Sequence, residues 1–148
     1  MRCDSLSRAI SAAVLAAWLG ACSGTESGPT GPDPASGGQE RVLDYDTFVA
    51  AVAPVLAAEG CAAAGDCHGG GIRGAFALSP EHEKDLAFDF QQASEQINDL
   101  LPAASALLLK PLAEAAGGSP HGVVAFEDTS EAGYAAILAW IEAGELRQ

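Results

Sequence analysis

The stretch Cys61-Ala62-Ala63-Ala64-Gly65-Asp66-Cys67-His68 brings two thiols and an imidazole into one short loop. A c-type haem needs two thiols for thioether bonds and a histidine directly after the second thiol to bind the iron. The stretch supplies all three groups, although five residues separate the cysteines where the common motif has about two. We therefore expect a small domain folded around one covalent haem c, held by Cys61 and Cys67, with His68 as the proximal iron ligand.

Two other interpretations of these cysteines stay open. An oxidising compartment would allow a disulfide between Cys61 and Cys67, and a disulfide can close a separation of this length. A disulfide assigns no role to His68 or to the glycines at positions 69–71. A zinc site would need a fourth ligand and more closely spaced cysteines. Haem attachment explains more of the motif than either alternative.

The N-terminus is typical of an exported protein. Arg2 and Arg8 give a positively charged start, and they precede an apolar run, residues 9–19, that is too short to span a bilayer comfortably. The run ends in Leu19-Gly20-Ala21-Cys22, which resembles the lipobox of bacterial lipoproteins. The resemblance implies cleavage before Cys22 and acylation of its thiol, which would anchor the chain to a membrane. A plain secreted protein cut at the same bond is the alternative.

The segment after the cleavage site predicts a tether. Residues 22–40 are rich in Gly, Ser, Pro and Thr and contain no large apolar side chain that could join a core. Ser23 stands where an inner-membrane retention signal would place Asp, so the resemblance implies an outer-membrane anchor facing the periplasm. The predicted organisation is a signal peptide at 1–21, a disordered tether at 22–40 and one domain at 41–148.

The chain is strongly acidic, with 7 basic and 20 acidic residues and a net charge of −13. Loss of Arg2, Arg8 and Asp4 with the signal peptide would leave 5 basic and 19 acidic residues. This charge argues against nucleic acid as a partner. It would steer a basic redox protein toward the domain, although surface solvation alone also explains it.

The domain is expected to be all-α, because apolar residues recur at helical spacing and no alternating strand pattern is found. A first helix capped by Asp44 or Asp46 would present one apolar face, formed by Phe48, Val52, Val55 and Leu56. Pro54 is expected to distort this helix, since proline removes a backbone donor. Gly60 would let the chain turn into the cysteine motif.

The rest of the domain is predicted as short helices joined by loops. A terminal helix over about 130–143, closed by Gly144, carries a second apolar stripe, made of Tyr134, Ile137, Leu138 and Ile141. Further helices are predicted at 91–100 and 105–110, each stopped by a proline. Ser79-Pro80 predicts another helix start.

Elimination reduces the number of residues that could be the second axial ligand of the iron. The only methionine is Met1, which leaves with the signal peptide, so Met ligation is excluded. His82 lies in an acidic run typical of a solvated helix start, whereas His121 lies in a glycine-flanked loop at 117–122. Lys84 and Lys110 are weaker candidates, because an ammonium group must lose a proton before it can bind iron. An open or water-filled position is the remaining possibility.

A haem also needs a dry pocket and neighbours for its propionates. The apolar candidates for the pocket, each of which would also suit a general core, are Phe76, Leu78, Leu107, Leu108, Phe126 and Trp140. Arg73 and Lys110 could pair with the propionates, although single basic residues are usually surface groups.

The order of these motifs resembles the planctomycete-type cytochrome c domains, which are class I cytochrome c-like. The resemblance covers about residues 44–144 and rests on segments in a shared order, namely Pro54-Val55-Leu56, Cys67-His68-Gly69-Gly70, Gly74-Ala75-Phe76-Ala77-Leu78, Ser105-Ala106-Leu107-Leu108-Leu109-Lys110-Pro111, His121-Gly122 and residues 134–144. It implies a small helical fold around one haem, with His121 at the position of the family's second histidine.

These patterns together predict a lipid-anchored, periplasm-facing cytochrome c that relays single electrons to a redox partner protein and is not an enzyme. Two histidines on the iron would give a closed, low-spin haem of comparatively low potential. Two alternatives stay open, a disulfide-bonded helical lipoprotein module without haem and a haem protein with open iron, acting as a sensor or a peroxidase. The sequence presents no convincing catalytic triad, phosphate loop or carboxylate dyad to support hydrolytic or phosphoryl chemistry.

Overall fold

The computed structural model describes residues 39–63, 68–69 and 75–148. The predicted signal peptide and nearly all of the predicted tether lie outside the described residues, as do Cys22, Cys67 and Arg73. None of the helices in the described ranges has the length and apolarity to cross a bilayer.

The N-terminal helical segment consists of three consecutive parts, α1 (Tyr45–Thr47), a π-helix (Phe48–Val52) and α2 (Ala53–Ala58). Asp44 begins it, as one of the two predicted caps, because its carboxylate accepts a hydrogen bond of 2.7 Å from the backbone N–H of Thr47. Three of the four residues predicted for its apolar face are buried, Phe48, Val52 and Leu56, and Val55 packs against them.

The predicted distortion around Pro54 is confirmed as the π-helix that precedes it. The backbone N–H of Ala53 donates to the carbonyl of Phe48, five residues back, instead of four. Pro54 has no N–H to offer the carbonyl of Ala50, so a regular α-helical ladder cannot run through this point. The widened turn precedes the proline and lets α2 continue toward the cysteine motif.

The cap at Asp44 predicts a specific acid sensitivity. Hydrogen bonds from the side chain and the backbone of Thr47 lower the pKa of Asp44 below its ordinary value. A depressed carboxyl pKa stabilises the fold above the unfolded-state pKa of about 4, and this stabilisation is lost as the pH falls through the lower, folded-state pKa. Asp44→Asn retains a good cap at neutral pH but has no carboxyl to titrate.

We therefore expect the stability of Asp44→Asn relative to the wild type to rise between pH 6 and about pH 3. Urea denaturation of both proteins at several pH values measures this difference. A difference that does not change with pH would contradict the role assigned to the Asp44 carboxylate.

The prediction that a helix starts at Ser79-Pro80 is wrong. Helix α3 (Leu86–Ser94) begins later, at Asp85, whose carboxylate accepts hydrogen bonds from the first turn. Ser79 instead donates its backbone N–H and its hydroxyl to the buried carboxylate of Asp89 on α3, at 2.6 and 2.9 Å. Since this pairing is between distant residues, the turn-like composition around Pro80 could not reveal it.

The helix predicted at 91–100 is also corrected, because α3 ends at Ser94. The side-chain oxygen of Asn98 accepts hydrogen bonds from the backbone N–H groups of Leu100 and Leu101. A short polar side chain that binds its own backbone competes with the helix, which turns the chain here. Pro102 then opens a 3₁₀ turn, Pro102–Ala104.

The two later helices are confirmed with small shifts. Helix α4 (Ala106–Leu109) lies within the predicted 105–110, and α5 (Ala132–Ala143) starts two residues after the predicted 130. A 3₁₀ turn, Glu114–Ala116, separates them. Gly144 closes α5 as predicted, with φ at −66° instead of the left-handed conformation common at helix ends.

The all-α prediction missed a small sheet. Strand β1 (Glu40–Val42) pairs antiparallel with β2 (Glu145–Arg147), and Glu40 is the last residue of the predicted tether. Arg41 reinforces the pairing, because its guanidinium donates to the carbonyls of Asp99 and Gly144. Strands of three residues are too short to show an alternating pattern in sequence.

The described residues thus form a small, mostly helical domain whose core lies between the N-terminal segment and α5. Trp140 on α5 packs against Phe48 with ring centres 5.4 Å apart, and its indole N–H donates to the carbonyl of Asp44 at 2.9 Å. Three of the four residues of the predicted stripe, Tyr134, Ile137 and Ile141, are buried beside it, and Leu138 is partly buried against the core. One wall of this core, at the ends of α2 and α4, borders the cavity described next.

Candidate functional site

The loop that follows α2 brings the two ends of the cysteine motif together. Gly60 has φ at +69°, a left-handed conformation that glycine tolerates, and this confirms its predicted role as the turn. The backbone N–H of His68 donates to the carbonyl of Cys61 at 3.0 Å. The long gap between the cysteines in the sequence therefore does not keep His68 away from Cys61.

His68 is held at its ring and at its backbone by the extended segment 76–78. The Nδ1 of His68 lies 2.9 Å from the carbonyl oxygen of Phe76. The backbone carbonyl of His68 accepts a hydrogen bond of 2.9 Å from the N–H of Leu78. The ring of Phe76 also packs against the imidazole, with centres 4.6 Å apart. A carbonyl can only accept, so in the neutral ring Nδ1 carries the proton and Nε2 has the lone pair that a metal needs.

His121 lies in the predicted loop after the second 3₁₀ turn and is oriented in the same manner. Its Nδ1 lies 2.9 Å from the carbonyl oxygen of Val123, which again leaves Nε2 with the lone pair. The loop is attached to the end of α4, where Ser119 donates its backbone N–H to Leu109 at 2.8 Å and Lys110 donates to Pro120 at 3.3 Å.

The two imidazoles form a parallel pair. Their ring centres lie 6.0 Å apart and their planes differ by 3°. Offset parallel rings have centres at such a separation, and a metal bound at about 2 Å to one nitrogen of each ring would also place the ring centres about 6 Å apart. The spacing of the ring centres is therefore compatible with a metal between His68 and His121.

Both imidazoles line a cavity of about 410 Å³, which is within the usual size range of cofactor sites. Cys61 is part of the same wall, beside the ends of α2 and α4. Three of the six predicted pocket residues line this cavity, namely Phe76, Leu107 and Phe126. The other three are buried in the core behind it, namely Leu78, Leu108 and Trp140.

Some of the lysines and histidines predicted to contact the haem line the cavity, and others lie elsewhere. Lys110 lines the cavity, together with Glu59, so it is placed where it could meet an acidic group of a ligand. Lys84 instead pairs with the buried Asp89 at 3.1 Å. His82 is exposed and does not line the cavity, so of the two histidines considered as the second ligand only His121 is brought to His68.

The chemistry of this donor set is compatible with haem iron. Within the ranges that the structure describes, no three His, Cys, Asp or Glu side chains come together in a group that could hold a metal ion. A haem needs only axial ligands from the protein, because the porphyrin supplies the others.

Sequence reasoning missed three contributors to the site. The carbonyls of Phe76 and Val123 orient the two imidazoles, and Gln96 on the chain after α3 lines the cavity. Backbone carbonyls leave no mark on a sequence, and a glutamine in a helical region is ordinary, so no sequence signal distinguishes these positions.

Comparisons with family models, curated proteins and solved structures return no match for this chain. The resemblance to the planctomycete-type cytochrome c domains therefore rests on its sequence motifs.

Proposed function

We propose that this protein is a lipid-anchored, periplasm-facing c-type cytochrome that relays single electrons through one haem. Cys61 and Cys67 would bind the haem covalently, and His68 and His121 would be its axial ligands. The observation that carries the proposal is the parallel pair of imidazoles, 6.0 Å apart in one largely apolar cavity, each with its Nδ1 bonded to a backbone carbonyl.

The residues around the pair have distinct tasks in this proposal. The carbonyls of Phe76 and Val123 fix the tautomer in which each Nε2 can bind iron. Leu107 and Phe126 exclude water from the cavity, and Lys110 is placed to pair with a propionate. The bound haem would supply the one-electron ferric/ferrous couple.

Two features favour electron transfer over the alternatives that keep the haem. A second imidazole opposite His68 would close the iron, as an electron carrier requires, whereas a sensor or a peroxidase needs an open position. The net charge of −13 would attract a redox partner with a basic docking face.

The test is covalent haem on the full chain, expressed with an export signal and a c-type haem maturation system. We expect the denatured protein to retain haem on a gel stained for haem peroxidase activity, with one added haem in its mass. Cys61→Ser should reduce this attachment, whereas Cys22→Ser should keep the haem and release the protein from the membrane. A colourless wild-type protein with Cys61 disulfide-bonded to Cys67 would refute the proposal and favour the haem-free binding module.

A further inference from the structure

Residues 76–78, which bind His68 on one side, are also bonded on their other side. In a planar trans peptide unit the carbonyl oxygen and the next N–H point in opposite directions. The carbonyl of Phe76 and the N–H of Leu78 meet His68, and the intervening N–H of Ala77 donates to the side-chain oxygen of Gln92 on α3, at 3.1 Å. Gln92 thus binds the one residue that lies between the two contacts to His68.

The orientation of the Gln92 amide is defined on both sides. A backbone N–H can only donate, so the amide oxygen must face Ala77. The amide nitrogen donates to Glu95 at 3.3 Å, which occupies the other end of the group. Gln92 is half-buried, so the contact with Ala77 is partly shielded from water.

Helix α3, which carries Gln92, is also bonded to the residue that follows the segment 76–78. The buried carboxylate of Asp89, three residues before Gln92, accepts from the backbone N–H and the hydroxyl of Ser79 and from Lys84. Ser79 directly follows the extended segment 76–78. The segment is therefore attached to α3 at residues 77 and 79, and it can transmit the position of the helix to the proximal imidazole.

We propose that Gln92 is a positioning residue for His68. By holding Ala77, it places the carbonyl of Phe76 that keeps the proton of His68 on Nδ1 and leaves Nε2 for the metal. Its significance for iron rests on the proposed haem function, whereas the contact between Gln92 and Ala77 is seen in the structure itself. Groups that orient a metal-binding histidine in this way also raise its basicity and so tune the metal.

The first experiment uses the haem-free full chain and observes His68 directly. The variant Gln92→Met removes the acceptor and nearly preserves the length of the side chain. We expect the ring ¹⁵N signals of His68 to change from one predominant Nδ1–H tautomer to a mixture, and the amide of Ala77 to lose at least about tenfold of its protection from hydrogen exchange. Unchanged ring signals and protection in folded Gln92→Met would overturn the proposal.

Two matched variants separate positioning from general stability. Gln91→Met changes the neighbouring, exposed glutamine of the same helix and should leave the His68 signals and the Ala77 amide as in the wild type. Gln92→Glu keeps an oxygen that can accept from Ala77 and should preserve the Nδ1–H tautomer. Loss of the tautomer in Gln92→Glu would count against the proposal, even if Gln92→Met failed to fold.

The second experiment uses the haem-loaded protein and reads its midpoint potential. A less firmly bonded Nδ1–H makes His68 a poorer donor, which disfavours the ferric state, so Gln92→Met should raise the potential while Gln91→Met leaves it unchanged. A wild-type chain that takes up no haem would refute the proposed function and leave the haem-free result standing. If the haem-loaded Gln92→Met and Gln91→Met proteins have equal potentials, the role of Gln92 is refuted and the proposed function is not.

Discussion

Replacing His121 by Ala is expected to admit carbon monoxide to the ferrous, haem-loaded protein, which should bind essentially none while His121 is present. The imidazole of His121 lies parallel to that of His68 at 6.0 Å and is oriented by the carbonyl of Val123. Alanine supplies no donor atom, and apart from the proximal His68 no histidine lines the described part of the cavity to replace it. The absorption spectrum of the reduced protein, with and without the gas, measures the change.

His82→Ala is the matched control for this prediction. His82 is exposed and lies away from the cavity, so its removal should leave the ferrous spectrum insensitive to carbon monoxide. Free imidazole added to His121→Ala should restore the closed spectrum, since it can occupy the position that the side chain vacates. If His82→Ala opens the iron and His121→Ala does not, then the second ligand is His82 and the paired imidazoles do not bind the metal.

The second large effect is expected from Gly69→Ala, directly after the proximal histidine. A Cβ at position 69 would collide with the backbone carbonyl of Ala62, which is itself buried. Backbone atoms cannot rotate away as a flexible side chain can, so the chain must shift where Gly69 pairs with Leu78. Overpacking of this kind costs about 3 kcal/mol, which is a large fraction of the stability of a small domain.

This collision would also force the two ends of the cysteine motif apart, because the hydrogen bond from His68 to Cys61 lies next to it. We therefore expect Gly69→Ala to lower the free energy of unfolding in urea and to reduce covalent haem attachment together. Gly122→Ala is the control, since a Cβ there meets no heavy atom within 4 Å, and it should change stability by less than about 0.5 kcal/mol. Equal stabilities of the two variants would show that residue 69 is not tightly packed.

Local patterns predicted the helices that form the core. The apolar faces around Phe48 and along α5 recur every three or four residues, and that periodicity belongs to the helix itself. The prediction failed where a contact between distant residues decided the conformation. Ser79 looked like a helix cap but binds Asp89, and β1 pairs with a strand about one hundred residues away in the chain.

By itself, the sequence determined which chemical groups the candidate site can contain. Cys61, Cys67 and His68 belong to one short stretch, and methionine is not expected as a ligand because Met1 belongs to the predicted signal peptide; neither inference requires knowledge of packing. Only the tertiary structure decided that His121, and not His82, lies opposite His68, and that backbone carbonyls orient both rings. These facts depend on how α3, α4 and the loops pack against one another, and such long-range contacts are set by the whole chain and not by the spacing of residues along it.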